Sequence, residues 1–214
     1  MKRPYVKLCG LHSEADVQLV QSSQAEYVGF VMAESKRKVS PFEAASWLDR
    51  HPLPGKKVAA LFVNASLSDI LEAVKQCPID IIQLHGTESV EMVQLVKEKT
   101  KKEVWKAIRH DDDAFSALKS YLPYVDGFVV DAKVKGEWGG TGQRFDWKHV
   151  PRYVQFGKKH QVPLFIAGGI TPENVASLLR YDPWGIDLSS GIERNGKKNK
   201  KKLTALEKRL MYHE

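Results

Sequence analysis

The sequence predicts a single (β/α)8 barrel of parallel strands, on three observations. Eight short β-type runs alternate with longer segments of helical spacing along 214 residues. Strand-then-helix alternation means parallel pairing with right-handed crossovers. Eight units leave about 27 residues each, which suits a compact barrel. The competing architecture, an open doubly wound sheet, carries a Gly-rich fingerprint after its first strand, and LCGLHSEAD has no G-x-G-x-x-G.

The elements follow in order. YVKLC (5–9) is the first strand, and Ser13 with Asp16 gives a weak helix start behind it. YVGFVM (27–32) is the second, followed by Ser40-Pro41-Phe42-Glu43, a capping box with proline at the first helical position. KVAALFV (57–63) precedes a helix marked by Ile70, Leu71 and Val74. IDIIQLH (79–85), EVWKAI (103–108) and DGFVVDA (126–132) are strands four to six. The Gly-rich stretch KVKGEWGGTGQRF (133–145) suits a mobile lid. PLFIAG (163–168) is strand seven, with Thr171-Pro172 repeating the proline start before Val175, Leu178 and Leu179. WGIDLSS (184–190) closes the set, and a basic helix is expected from about residue 199. One domain over 1–214 is the expectation, since barrels of this length fold as one unit.

Composition narrows the classes. With 43% hydrophobic and 28% charged residues the chain is of ordinary globular type. Two cysteines make no disulfide framework, and no signal peptide or long apolar span stands out, so a reducing, cytoplasmic setting is expected. Cys77, beside Pro78, reads as a small buried hydrophobe. The absence of a long exposed apolar stripe favours a monomer. The net charge is +7, and from Lys197 onward seven Lys/Arg stand against two Asp/Glu. The run KKNKKK (197–202) fits either a nucleic-acid tail or the solvated start of the last helix. No aromatic residue interleaves the lysines, so the helix reading is preferred and neither nucleic acid nor membrane is expected as a partner.

Barrels of this class do their chemistry at the carboxyl ends of the strands. Alternation puts Tyr5, Lys7 and Cys9 on one face of the first strand, with apolar Val6 and Leu8 turned to the helices. Cys9 then stands at the mouth. In strand six Val129 and Asp131 share a face, and Asp131 reaches the same rim. Cys9 alone is as consistent with a buried hydrophobe, while for Asp131 a helix or loop cap is the lesser alternative; their shared position favours function for both. Gly168 and Gly169 in AGGITPEN, and Ser190 and Gly191 in SSGIERNGKK, offer backbone N–H groups where such barrels hold phosphate. Lys36, Arg37 and Lys38 follow strand two, where an arginine could clamp a planar carboxylate.

Together, VKLCG, SKRKVSP, LFVN, IIQLHG, VVDAK…GGTG..FDW, AGGITPENV and DLSSGIE resemble the phosphoribosylanthranilate isomerases of tryptophan biosynthesis, from Tyr5 to about Lys198. The resemblance implies a cofactor-free, metal-free Amadori rearrangement of a phosphorylated small molecule. It implies that Cys9 is the general base, Asp131 the general acid and Arg37 the grip on the anthranilate carboxylate. Gly168, Gly169, Ser190 and Gly191 would hold phosphate. Gln83 and His85 match IIQLHG, with packing beneath the site an equal reading, and Lys7 is a candidate to polarise Cys9. Asn195 and Asn199 stand where many relatives have proline and aspartate, which bears on the shape of the last loop.

Two other enzyme readings compete. A phosphosugar aldolase would use an inward lysine, Lys7 or Lys106, as a Schiff base. A metal-dependent epimerase is disfavoured, because the rim offers only the solitary His85 as a ligand.

Overall fold

In the computed structural model, which describes residues 3–131 and 146–211, eight parallel strands close on themselves. They are β1 (Tyr5–Cys9), β2 (Tyr27–Val31), β3 (Lys57–Phe62), β4 (Ile81–Leu84), β5 (Glu103–Arg109), β6 (Gly127–Asp131), β7 (Leu164–Ile166) and β8 (Gly185–Leu188). Each pairs with the next, and β8 returns to β1 with Lys7 opposite Asp187. The helices are α1 (Glu14–Gln21), α2 (Pro41–Arg50), α3 (Leu67–Gln76), α4 (Val90–Thr100), α5 (Ala114–Tyr121), α6 (Val150–His160), α7 (Val175–Leu179) and α8 (Lys200–Met211). A small hairpin of β9 (Glu193–Arg194) and β10 (Lys197–Lys198) sits between β8 and α8. The Gly-rich segment read as a lid, 133–145, lies outside the described residues.

Strand alternation sorts the core into two layers. Val6, Leu8, Val28, Phe30, Ile82, Leu84, Val130, Ile166, Ile186 and Leu188 pack outward against helix residues such as Val17, Val20, Leu48, Ile70, Val93 and Leu118. Ala59, Ile81, Trp105, Ala107, Val129, Phe165 and Ala167 fill the interior, with Tyr5 and Tyr27 against them. Trp105 and Phe165 have ring centres 4.8 Å apart, and Tyr27 meets each at 5.3 Å. This aromatic floor makes the barrel a packed core rather than a pore. Burying each such side chain contributes roughly 1.5–3 kcal/mol.

Helix starts are set by short polar caps. Ser40 accepts from the Glu43 N–H and Glu43 returns a bond to the Ser40 N–H, completing the expected box. Ser13 caps α1 through Asp16 N, as expected, and Ser66 and Ser89 do the same for α3 and α4. Each cap is worth about 1 kcal/mol. The Thr171-Pro172 expectation needs correction. The helix proper opens at Val175, because Asn174 folds back to take a bond from Thr171 N and give one to Gly169 O. Thr171–Asn174 form a hydrogen-bonded turn instead, with Val175 N donating to Thr171 O at 3.0 Å.

The basic run also resolves differently along its length. Helix α8 begins at Lys200, close to the expected residue 199, and buries Leu203, Leu206 and Leu210. Lys198, however, is buried and ion-paired rather than solvated. Asn195 and Gly196 both take positive φ, 53° and 76°, which is the two-residue turn that joins β9 to β10. A proline, with φ near −65°, could not hold the Asn195 conformation. Asn199 precedes α8, and its side chain accepts from Lys202 N. Among the described residues no helix is long and apolar enough to cross a membrane. Cys77 is buried at the end of α3, and burial pushes its thiol up to about 11.

Candidate active site

At the carboxyl ends of the strands a cavity opens to solvent. Its lining includes Cys9, Arg37, His85, Asp131, Gly168, Gly169, Ser190 and Gly191, all expected from the sequence, and adds Asp187 and Ser189. Lys7 and Gln83 lie fully buried inside the barrel and do not line it.

Cys9 ends β1 with its thiol pointing inward. The neighbouring strand makes room for it: a Cβ at Gly29 would sit 2.9 Å from Cys9 Sγ and 3.4 Å from Lys7 Nζ. Burial pushes the Cys9 thiol above its ordinary value, while the Lys7 ammonium pulls it down. Burial prevails, so the resting group is the thiol, and Lys7 only moderates the cost of ionising it. Burial also acts against the charged form of Lys7, but the pull of its partners, Asp187 foremost, makes Lys7 keep its proton more firmly than a free lysine. Its Nζ donates to Asp187 Oδ2 at 2.8 Å. The other Asp187 oxygen, Oδ1, is buried with no hydrogen-bond partner among the described residues.

Asp131 ends β6, and its carbonyl accepts from His110 N at 2.9 Å. His85 Nε2 lies 3.6 Å from Asp131 Oδ2, and Gln83 Nε2 lies 3.3 Å from His85 Nδ1. Gln83 thus steadies the imidazole, and the imidazole stands beside the acid, so both residues of IIQLHG belong to the surroundings of Asp131.

The loops after β7 and β8 press together. Gly168 and Gly169 take φ of 89° and 63°, a left-handed conformation that glycine adopts at little steric cost. A Cβ at Gly191 would lie 1.8 Å from Ile170 O, so only glycine allows the two loops this contact. The N–H groups of Gly168, Gly169, Ser190 and Gly191 make no hydrogen bond to another described residue. Such a ring of free donors suits a phosphate. The helix behind the first loop, α7, has only five residues, so the amides rather than a helix field supply the attraction.

Arg37 reaches the cavity but is not a free guanidinium. Its Nε and Nη2 each donate to Glu193 at 2.8 Å, in a buried bidentate pair. Lys198 Nζ lies 2.8 Å from the same carboxylate and also donates to Cys9 O at 2.6 Å and Ser189 O at 3.1 Å. Glu193 and Lys198 went unassigned in the sequence, and so did Asp187. Only Asp187 had a local signal, since it shares the parity of the inward positions of β8. The two alternative lysines are both engaged. Lys106 pairs with Glu88 at 3.1 Å, donates to Leu84 O, Gly86 O and Ala107 O, and does not line the cavity. Neither it nor Lys7 presents a free amine to the mouth, so the Schiff-base reading fails.

Among the described residues no group of three or more His, Cys, Asp or Glu is arranged to hold a metal ion. The fold and the mouth define a (β/α)8 enzyme with a thiol, a carboxyl group and two glycine-bearing loops around one cavity at the carboxyl ends of its strands. The family model for N-(5'-phosphoribosyl)anthranilate isomerase matches residues 6–209. The enzyme of that name from Halalkalibacterium halodurans is 50% identical over 209 residues, covering 98% of this chain and 96% of its own. The Bacillus licheniformis enzyme is 44% identical over 213 residues, 100% and 98% of the two chains. The isomerase structure from Thermotoga maritima superposes with a TM-score of 0.83 at 28% identity, covering 97% of this chain and 98% of that one. A further isomerase structure, in complex with reduced 1-(o-carboxyphenylamino)-1-deoxyribulose 5-phosphate, superposes at 0.81 with 27% identity and the same coverage. The chain belongs to the phosphoribosylanthranilate isomerase family. Its activity is the Amadori rearrangement of N-(5-phosphoribosyl)anthranilate to 1-(2-carboxyphenylamino)-1-deoxyribulose 5-phosphate, a step of tryptophan biosynthesis.

Proposed function

We propose that Cys9 and Asp131 carry this rearrangement as base and acid, on a substrate held by its phosphate and its carboxylate. The observation that supports this most directly is that both side chains line one cavity, together with the amides after β7 and β8 and with Arg37. Phosphate rests on the N–H groups of Gly168, Gly169, Ser190 and Gly191. Arg37 takes the carboxylate. Asp131 gives its proton to the ribose ring oxygen, and the anilino nitrogen pushes the ring open to an iminium. Cys9 then removes the proton from C2, giving an enolamine that gains a proton at C1 and loses one from O2 to become the ketone. Each positioned acid or base contributes roughly 10²–10⁴-fold, and the two anion grips supply the orientation.

Cys9 starts as a thiol, so the base forms only when its proton passes to solvent water through the open cavity. The buried ammonium of Lys7 is the counterion that makes the thiolate accessible. No metal or cofactor takes part in this reading. The chain works as one domain and as a monomer, in the cytoplasm; a dimeric enzyme is known among its neighbours in Thermotoga maritima, and sedimentation of the purified protein decides the point.

The test uses freshly made phosphoribosylanthranilate. Folded protein is expected to abolish its anthranilate-type fluorescence with turnover, and a folded sample that leaves the signal unchanged refutes the reading.

A further inference from the structure

We infer that Glu193, backed by Lys198, is a positioning residue that fixes which edge of the Arg37 guanidinium meets the substrate carboxylate. The inference rests on the reading of Arg37 as the carboxylate grip. A guanidinium has two edges able to hold a carboxylate in parallel hydrogen bonds: Nε with Nη2 along the side, and Nη1 with Nη2 at the end. Glu193 fills the side edge, with both contacts at 2.8 Å. Nη1 has no hydrogen-bond partner among the described residues, and Arg37 lines the cavity, so the end edge is the one left for a ligand.

The pair is held from behind. Lys198 Nζ, on a side chain with no exposed surface, lies 2.8 Å from Glu193 Oε1 and donates to the carbonyls of Cys9 and Ser189. Glu193 is therefore tied at one oxygen to the strand that carries the base. The same hairpin that positions Arg37 is anchored on Cys9, which fixes the distance between the carboxylate grip and the thiol. A long arginine side chain without such a brace would lose its preorganisation and would have to pay for ordering at each binding event.

Charge alone predicts the opposite outcome from positioning. Lys198, Glu193 and Arg37 together carry one net positive charge. Replacing Glu193 by glutamine raises this to two, which by simple attraction would tighten binding of an anionic group. Glutamine also puts an NH2 where Arg37 or Lys198 needs an acceptor, which breaks the bidentate lock.

The experiment is calorimetric titration of wild type, E193Q and R37A with two ligands. One is the reduced 1-(o-carboxyphenylamino)-1-deoxyribulose 5-phosphate, and the other is the same molecule without its ring carboxylate. Positioning predicts that E193Q weakens the carboxylated ligand by about tenfold or more, as expected for loss of a charge-assisted contact, and the other ligand by less than about twofold. In turnover the same variant should raise KM more than it lowers kcat. Tighter or unchanged binding of the carboxylated ligand, or equal weakening of both, overturns the inference. R37A separates the two levels: equal weakening of both ligands by R37A would refute the carboxylate grip itself, whereas selectivity in R37A without selectivity in E193Q refutes only the role of Glu193. If E193Q does not fold, E193D, which keeps the charge one methylene back, is read in the same titrations against the same outcomes.

Discussion

The Nζ of Lys7 and Oδ2 of Asp187 meet at 2.8 Å inside the barrel, with Lys7 fully buried and Asp187 nearly so. The pair lies beneath Cys9, and its cation lowers the cost of ionising a thiol that burial keeps protonated. Lys7→Met should therefore raise the pH at which Cys9 reacts with iodoacetamide and lower kcat by at least about tenfold. It should also lower the melting temperature, since it strands a buried carboxylate at a cost of about 3–5 kcal/mol. A variant with an unchanged alkylation profile would remove Lys7 from the thiol's environment.

Cys9→Ala and Asp131→Asn each delete one proposed proton-transfer group and leave the packing close to intact. Each should lose roughly 10²–10⁴-fold in kcat with wild-type circular dichroism. A near-normal rate in either variant would strip that residue of its role.

Gly29 is predicted to matter although it carries no chemistry. An added methyl meets Cys9 Sγ at 2.9 Å, closer than such contacts allow, and Lys7 Nζ at 3.4 Å. Gly29→Ala should displace the thiol and reduce kcat by an order of magnitude or more, while KM changes little. Retention of full kcat would show that the thiol has room to move without penalty.

At Gly191 the obstruction is backbone rather than side chain. The methyl of Gly191→Ala would fall 1.8 Å from the Ile170 carbonyl oxygen, so the loops after β7 and β8 must separate. Weaker inhibition by inorganic phosphate and a lower melting temperature are expected together. Unaltered phosphate inhibition would place the phosphate elsewhere.

Acid titration reports on the Arg37–Glu193–Lys198 cluster. Glu193 is opposed by burial, but hydrogen bonding from Arg37 and the charge of Lys198 hold its carboxyl down at about 2, against an ordinary 4.5. A depressed carboxyl stabilises the fold fully above its unfolded value and loses that contribution as pH falls from about 4.5 toward 2. The gap in melting temperature between wild type and E193Q should therefore be widest above pH 5 and shrink on acidification. A gap independent of pH would contradict the ion pair.

The sequence carried the barrel because alternation and capping are local. Ser40 and Glu43 are three residues apart, and the parity of Tyr5, Lys7 and Cys9 follows from strand geometry alone. Cys9 and Asp131 were legible for the same reason, each being the inward residue at the end of its strand. The partner of Arg37 was not, because Glu193 is 156 residues away and only barrel closure unites them. Lys198 was hidden by its company: in KKNKKK nothing local distinguishes the one lysine that turns inward. The late opening of α7 depends on where the Asn174 side chain bonds, which helical spacing does not encode.

Lys198 grips the end of β1 across 189 residues of sequence, so that strand is not fully secured until the β9–β10 hairpin has formed. The proposed base thus sits on a strand whose last fastening comes from a distant hairpin rather than from its neighbours in the barrel. Catalytic competence should appear only once the turn at Asn195 and Gly196 brings that lysine home.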